Sequence, residues 1–340
     1  MRYRFIDIAR GIAILLVVLG HSFSSADCPM NKMILGFHMP LFFFLSGVFA
    51  KCLDFNELWG GVKRKAHALL IPHILLSVTL VLFNGVLWIA DGNKIADFKV
   101  VSNLFYWFLP VLFSCSVLFM LLSSTMNLEK NITRILIVIA TVLCVYLSDK
   151  YLNSLKSSVL YWIRIVPTAF LFYFMGFIVR NRLLSLKEKH TSLKGLIVLV
   201  LIASLFVLTQ VNSPVMMYKN EYGNYFLFLT TSLIGVYIVM QIARLIESSA
   251  LLEEMGKLSI AIYVWNFCVV GFFYRLTNVV MKYTGLEDKG IMTAITFSIA
   301  VICLYVIAKL TYEKMPFLYG IRRKINRITN VFLIPNSRTN

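Results

Sequence analysis

About ten apolar segments of roughly 20 residues each follow one another along the chain, with short polar stretches between them. A hydrocarbon core of about 30 Å needs roughly 20 apolar residues of helix to cross it. Hydrophobic residues make up 59% of the 340 residues and charged residues only 14%. The pattern predicts an all-α polytopic membrane protein with spans at 5–24, 33–51, 67–90, 103–126, 132–148, 164–180, 193–210, 223–244, 258–281 and 291–311.

Lysine and arginine residues indicate the orientation of these spans, because cytoplasmic loops are enriched in them. Most of them fall on one side if the N-terminus is cytoplasmic, and ten spans then place both termini in the cytoplasm. We expect residues 1–316 to form a single membrane domain and residues 317–340 a short basic tail suited to anionic membrane lipids. The net charge of +17 is explained by this topology and does not indicate a nucleic-acid partner.

The six cysteines are scattered along the chain, and no pair has Cys-x-x-Cys spacing. No cluster of histidine and cysteine has the spacing of metal ligands. We therefore expect neither a disulfide framework nor a metal site.

Arg10 and His21 lie in the first apolar segment, where ionisable side chains are costly and usually functional. Their eleven-residue interval corresponds to about 20° around a helix and about 16 Å along it, so both lie on one face. Asp7, three residues before Arg10, can pair with it. Arg10 then lies in the inner half and His21 near the outer end. The structural alternative for Arg10 is a snorkelling side chain near the inner surface.

His38, in the second apolar segment, is predicted at the same depth as His21. Histidine suits proton transfer because its pKa lies near neutrality. The structural alternative is an interfacial pair, hydrogen-bonded to neighbours or water. Pro40 is expected to free a backbone carbonyl and kink this segment, and Ser46 with Gly47 to allow close helix approach. Both features would support His38.

Lys63, Arg64 and Lys65 form a basic cluster that cytoplasmic topology explains by default. The functional alternative is a cradle for phosphate groups, which arginine and lysine bind well.

A family resemblance rests on two strings. Ile6-Asp7-Ile8-Ala9-Arg10-Gly11-Ile12-Ala13, followed by His21, resembles the first helix of the integral-membrane acyltransferase family 3. Phe37-His38-Met39-Pro40-Leu41-Phe42-Phe43-Phe44-Leu45-Ser46-Gly47 is similar to its fucose 4-O-acetylase-like and polysaccharide O-acetyltransferase branch. Weaker likeness continues in Trp107-Phe108-Leu109-Pro110 and in Gly256-Lys257-Leu258-Ser259-Ile260-Ala261-Ile262-Tyr263.

This resemblance implies an enzyme of a bacterial-type cytoplasmic membrane. It would move an acyl group, often acetyl from acetyl-CoA as co-substrate, to a hydroxyl of an envelope glycan or its sugar precursor. Arg10 and His21 would be the essential pair.

On this basis we expect the basic cluster to hold the donor's phosphates and His21 to act as general base, with a covalent acyl-histidine as the variant. His38 would orient His21, contact the acceptor or share proton transfer.

Trp107, Tyr263 and Asn266 are candidate substrate contacts. The family often has a histidine where this chain has Asn266, and asparagine cannot carry a proton at neutral pH. A substrate-binding or a helix-bridging role stays open for Asn266. Two other functions also stay open: a transporter or flippase of a glycan or lipid-linked intermediate, and an inactive acyltransferase-like sensor.

Overall fold

The computed structural model describes residues 3–90, 107–152, 158–185, 192–285 and 288–320. Within these ranges the chain is helical apart from short connections, and no strand forms beyond an isolated bridge between Met216 and Glu221. The α-helices are α1 (Arg4–Ser22), α2 (Pro29–Leu35), α3 (His38–Val48), α4 (Phe55–Ala90), α5 (Phe108–Thr125), α6 (Asn131–Leu147), α7 (Val166–Ser185), α8 (Ser192–Val211), α9 (Tyr225–Leu245), α10 (Ala250–Lys257), α11 (Ser259–Thr284) and α12 (Lys289–Lys314).

Eight helices in the described part are long and apolar enough to cross a membrane: α1, α4, α5, α7, α8, α9, α11 and α12. α6 is apolar as well but has 17 residues. The prediction of an all-α polytopic membrane protein is confirmed. Each predicted segment contains helix within the residues that the structure describes, and the second one departs from a simple span.

The second segment is broken, whereas the sequence predicts one span over 33–51. α2 ends at Leu35, and Phe37 leaves the helical region with φ −144° and ψ −17° before α3 begins at His38. Pro40 therefore lies in the first turn of α3, where its missing N–H costs little. The carbonyl that it frees is that of Gly36, four residues earlier, which accepts a 2.8 Å hydrogen bond from Ser232 Oγ of α9. The kink expected at Pro40 is thus a break at Gly36–Phe37.

Two pairs of glycines bring helices into backbone contact. A Cβ on Gly47 of α3 would overlap the carbonyl of Tyr173, and one on Gly176 of α7 would overlap the carbonyl of Phe44. This confirms the close helix approach predicted at Ser46-Gly47 and names α7 as the partner.

The second pair joins α1 to α10. A Cβ on Gly11 would overlap the carbonyl of Leu252, and one on Gly256 would overlap the carbonyl of Asp7. The short helix α10 is therefore held against the half of α1 that carries Asp7 and Arg10.

The chain turns back after α12. A 3₁₀ turn over Pro316–Tyr319 packs against α4, and the Tyr319 hydroxyl accepts a 3.1 Å hydrogen bond from Trp265 Nε1 of α11. The start of the predicted tail is thus part of the bundle, and residues 321–340 lie outside the described ranges.

Candidate active site

A cavity of about 340 Å³ opens among α1, α3, α5, α10, α11 and α12. On α1 it extends from Asp7 to Val17, which is about 15 Å along the helix axis. Its lining residues are Asp7, Arg10, Ile14, Val17, Met39, Phe42, Ser46, Phe108, Leu109, Leu112, Gly256, Lys257, Ser259, Ile260, Tyr263 and Tyr312. The charged lining residues are Asp7, Arg10 and Lys257, and apolar side chains dominate the rest of the lining. Gly256, the neighbour of Lys257, packs against the backbone of Asp7, so the three charges lie at one end of the cavity.

The charged end lies beside the N-terminal half of α1. Asp7 and Arg10, one turn apart on α1, interact electrostatically, as predicted from their spacing. The Arg10 guanidinium also lies 5.1 Å from the centre of the Phe49 ring, a cation–π distance. Lys65 of α4 is close enough to Arg10 for their charges to interact, and Lys257 lines the same cavity. Among these residues, three cations (Arg10, Lys65 and Lys257) and one carboxylate (Asp7) lie at the charged mouth.

His21 lies at the other end of α1, in its last turn. Its ring packs on Phe267 of α11, with 4.3 Å between ring centres and 50° between ring planes. The last cavity-lining residue of α1, Val17, is one helical turn below it. His21 and His38 interact electrostatically, and their common depth stays a prediction.

His38 is the first residue of α3 and is buried. Its Nδ1 lies 2.8 Å from the carbonyl oxygen of Ile34. A carbonyl can only accept, so Nδ1 carries the hydrogen and the lone pair of the neutral ring is on Nε2. At the break between α2 and α3 the Ile34 carbonyl also accepts the Phe37 N–H at 3.2 Å, so it receives one backbone and one side-chain hydrogen bond. The irregular backbone thereby fixes the tautomer of His38.

The other predicted site residues are distributed more widely. Ser46 and Tyr263 line the cavity, and Ser46 Oγ donates to the carbonyl of Phe42 at 2.8 Å. Trp107 does not line the cavity, and its ring centre is 6.1 Å from that of Phe108, a lining residue. Asn266 is fully buried one turn beyond Tyr263.

The basic cluster does not act as one unit. Lys65 turns towards Arg10, whereas Lys63 and Arg64 are exposed, and the Lys63 ammonium lies 5.3 Å from the centre of the Trp59 ring. Successive residues of a helix point about 100° apart, so three consecutive cations cannot share one target.

Lys257 and Tyr312 are cavity residues that the sequence prediction missed. Lys257 directly precedes an apolar segment and was explained by topology alone, although it belongs to the Gly256–Tyr263 string that carries the family resemblance. Tyr312 lies at the end of the last apolar segment, and no sequence signal distinguishes it from an ordinary interfacial tyrosine.

The fold and this polar-ended cavity define a multi-pass membrane protein with a site enclosed by its helices. The family model described as an acyltransferase domain matches residues 3–329, nearly the whole chain, so the protein belongs to acyltransferase family 3. Comparison with curated proteins and with solved structures finds no match.

Proposed function

We propose that the protein transfers an acetyl group from cytoplasmic acetyl-CoA to a hydroxyl of an envelope glycan or its sugar precursor. The observation that carries the proposal is the cavity along α1, charged where it meets Arg10 and apolar up to Val17, one turn below His21. A donor with a charged head and a thin arm fits such a shape. The acyltransferase domain supports the reaction class.

The donor would bind with its phosphates at the charged mouth. Arg10, Lys65 and Lys257 supply the positive charge there, and a planar guanidinium can hold a phosphate through two parallel hydrogen bonds. Lys63 and Arg64 would add exposed charge to the approach. The pantetheine arm then follows the apolar wall of α1, with Tyr263 and Phe108 at its sides.

The chemistry would take place at the histidine end. The acceptor hydroxyl gives its proton to His21 as its oxygen attacks the thioester carbonyl carbon. The carbon–sulfur bond breaks when the carbonyl reforms, and the CoA thiolate takes the proton from the imidazolium of His21. His38, with its lone pair on Nε2, would orient the acceptor or share this proton transfer.

The test uses purified protein in liposomes with radiolabelled acetyl-CoA and extracted envelope polysaccharide as the acceptor. We expect label in the polysaccharide, and His21→Ala to lower the rate by about 10²–10⁴-fold, the usual contribution of a general base. His67→Ala is the matched control, because His67 is an exposed histidine on α4 that does not line the cavity.

Three results would contradict the proposal. A wild-type rate of acetyl transfer by His21→Ala would show that His21 is not the general base. Movement of the glycan across the liposome membrane in the absence of acetyl-CoA would favour a transporter or flippase. Donor binding with neither transfer nor hydrolysis would favour an inactive sensor.

A further inference from the structure

Asn266 of α11 is a buried polar side chain whose carboxamide makes no hydrogen bond to the described residues. Its exposed fraction is 0%, and neither Oδ1 nor Nδ2 has a hydrogen-bond partner in the described part of the chain. An unpaired buried donor or acceptor costs about 1–3 kcal/mol, and buried polar groups in native proteins are mostly paired. Such a carboxamide is typical of a site that receives its partner with a ligand.

The position of Asn266 on α11 indicates which ligand it would meet. Tyr263, three residues earlier, lines the cavity, and Phe267, one residue later, packs on the His21 ring. At about 100° per residue, Tyr263 lies between these two in direction, about 60° from Asn266 and about 40° from Phe267. Along the helix axis Asn266 is therefore about 4.5 Å beyond Tyr263, the last lining residue of α11, and one residue before Phe267, which contacts His21.

A helix-bridging role would require a partner, and the chain shows what such a bridge looks like. Thr296 of α12 and Thr277 of α11 are both buried, and their hydroxyls are 3.2 Å apart. That pair satisfies itself between two helices. Asn266 makes no corresponding hydrogen bond to any residue that the structure describes, which argues against a purely structural role.

We propose that Nδ2 of Asn266 donates a hydrogen bond to the carbonyl oxygen of the bound thioester. The inference rests on the proposed function, because it assumes the donor arm in the cavity and His21 as the base. When the acceptor oxygen bonds to the carbonyl carbon, the carbonyl π electrons move to its oxygen, and the Nδ2–H stabilises that negative charge. The charge returns to re-form the carbonyl as the carbon–sulfur bond breaks and the thiolate is protonated by His21.

A preorganised N–H group of this kind stabilises the transition state more than it stabilises bound acetyl-CoA. Asn266→Leu, which has nearly the same volume and no polar atom, should lower kcat by about 10²–10³-fold. It should leave the thermal stability equal to or above that of the wild type, because an unpaired polar group is replaced by an apolar one. Thr296→Val is the matched control: it breaks a satisfied bridge, so it should lower the melting temperature and leave kcat per folded molecule unchanged.

A binding measurement isolates the carbonyl contact from activity. Wild-type protein should bind acetyl-CoA about 2–10-fold more tightly than S-ethyl-CoA, in which a methylene replaces the carbonyl, as one hydrogen bond implies. Asn266→Leu should bind both compounds equally.

The outcomes separate the two proposals. An Asn266→Leu protein that keeps the preference for acetyl-CoA and the wild-type kcat overturns the Asn266 inference and leaves the transferase intact. Loss of melting temperature in Asn266→Leu, equal to that in Thr296→Val, assigns the residue to helix bridging and also overturns it. Wild-type protein that binds neither compound overturns the proposed function itself.

Discussion

Glu254, on the short helix α10, joins two helices that frame the charged mouth of the cavity. Its carboxylate accepts a 2.5 Å hydrogen bond from the Tyr305 hydroxyl and pairs with Lys309 Nζ at 2.9 Å, both on α12. The hydrogen bond from Tyr305, assisted by Lys309, lowers the pKa of Glu254 below its ordinary value. A single ionised residue thus ties α10 to α12.

This lowered pKa predicts the pH dependence of stability. The contribution of Glu254 is complete above the ordinary pKa of a glutamate and is lost as the pH falls through the lower folded pKa. Glu254→Gln should therefore reduce the melting temperature slightly near pH 7, since partly exposed ion pairs contribute about 0–1 kcal/mol. The difference from wild type should disappear at low pH.

Thermal unfolding in detergent at several pH values checks this prediction. Glu57→Gln serves as the control, because it removes a carboxylate from the exposed start of α4. A Glu254→Gln difference that grows as the pH falls would have the wrong sign for a carboxylate with a lowered pKa.

The sequence predicted some residues of the candidate site better than others. The pairing of Asp7 with Arg10 follows from helix geometry, which the continuous helix α1 fixes. The position of His38 depends instead on the break before α3, which the sequence did not predict. The separation of Lys65 from Lys63 and Arg64 depends on which face of α4 packs against α5 and α11. That face is decided by tertiary packing, which a single sequence does not contain.

At the scale of elements, the crossing of α1 and α10 positions the charged mouth. The two helices touch backbone to backbone at Gly11 and Gly256, and Arg4 Nε lies 3.6 Å from Glu253 Oε1 at the edge of the same contact. Any side chain larger than hydrogen at either glycine must separate the helices. Separation would move Arg10, whose donor-binding role is part of the proposed function.

Gly256→Ala is therefore expected to destabilise the protein, although alanine is the better helix former. The added methyl meets a backbone carbonyl that cannot rotate away, and overpacking of this kind costs about 1–3 kcal/mol. Acetyl-CoA binding should weaken as well. Gly195→Ala on α8 is the control, because a Cβ there meets nothing within 4 Å.

Fluorescence-detected thermal unfolding and acetyl-CoA binding measure both effects. A Gly256→Ala protein as stable as Gly195→Ala would show that the α1–α10 contact relaxes without cost. Normal stability with weakened donor binding would instead assign Gly256 to the donor site alone.

Hydropathy predicted where the helices lie and missed two interruptions. The window over 33–51 is apolar apart from His38, Ser46 and the terminal Lys51, so the break at Gly36–Phe37 has no hydropathy signal. The break is stabilised by Ser232, almost 200 residues away in sequence, through the Gly36 carbonyl. α10 has eight residues, too few for a span, and lies between the predicted spans 223–244 and 258–281. Both features depend on contacts between distant segments.

At the scale of the whole molecule, the proposed reaction needs a defined orientation. An acetyl donor from the cytoplasm must enter at Arg10, and an envelope acceptor must reach His21 from the opposite side. The lysine and arginine distribution predicts this orientation, with both termini inside. The two connections that flank the second segment each carry a free cysteine, Cys28 before α2 and Cys52 before α4.

These two cysteines allow the orientation to be tested with a membrane-impermeant maleimide. Single-cysteine proteins keep either Cys28 or Cys52, with the other five cysteines replaced by alanine. The predicted orientation places Cys28 outside and Cys52 inside, so intact cells should label Cys28 alone, and permeabilised cells should label both.

The labelling rates of Cys28 and Cys52 depend on the pKa of each thiol as well as on its side of the membrane. Partial desolvation raises the pKa of Cys52, which lowers its thiolate fraction and slows its reaction with maleimide. Labelling is therefore run at pH 8 until Cys52 in permeabilised cells is fully modified, and the same time is used for intact cells. Complete labelling of Cys52 in intact cells, with Cys28 unlabelled, would show that the orientation is the opposite of the predicted one. His21 would then face the cytoplasm, and an envelope acceptor could not meet it without first crossing the membrane.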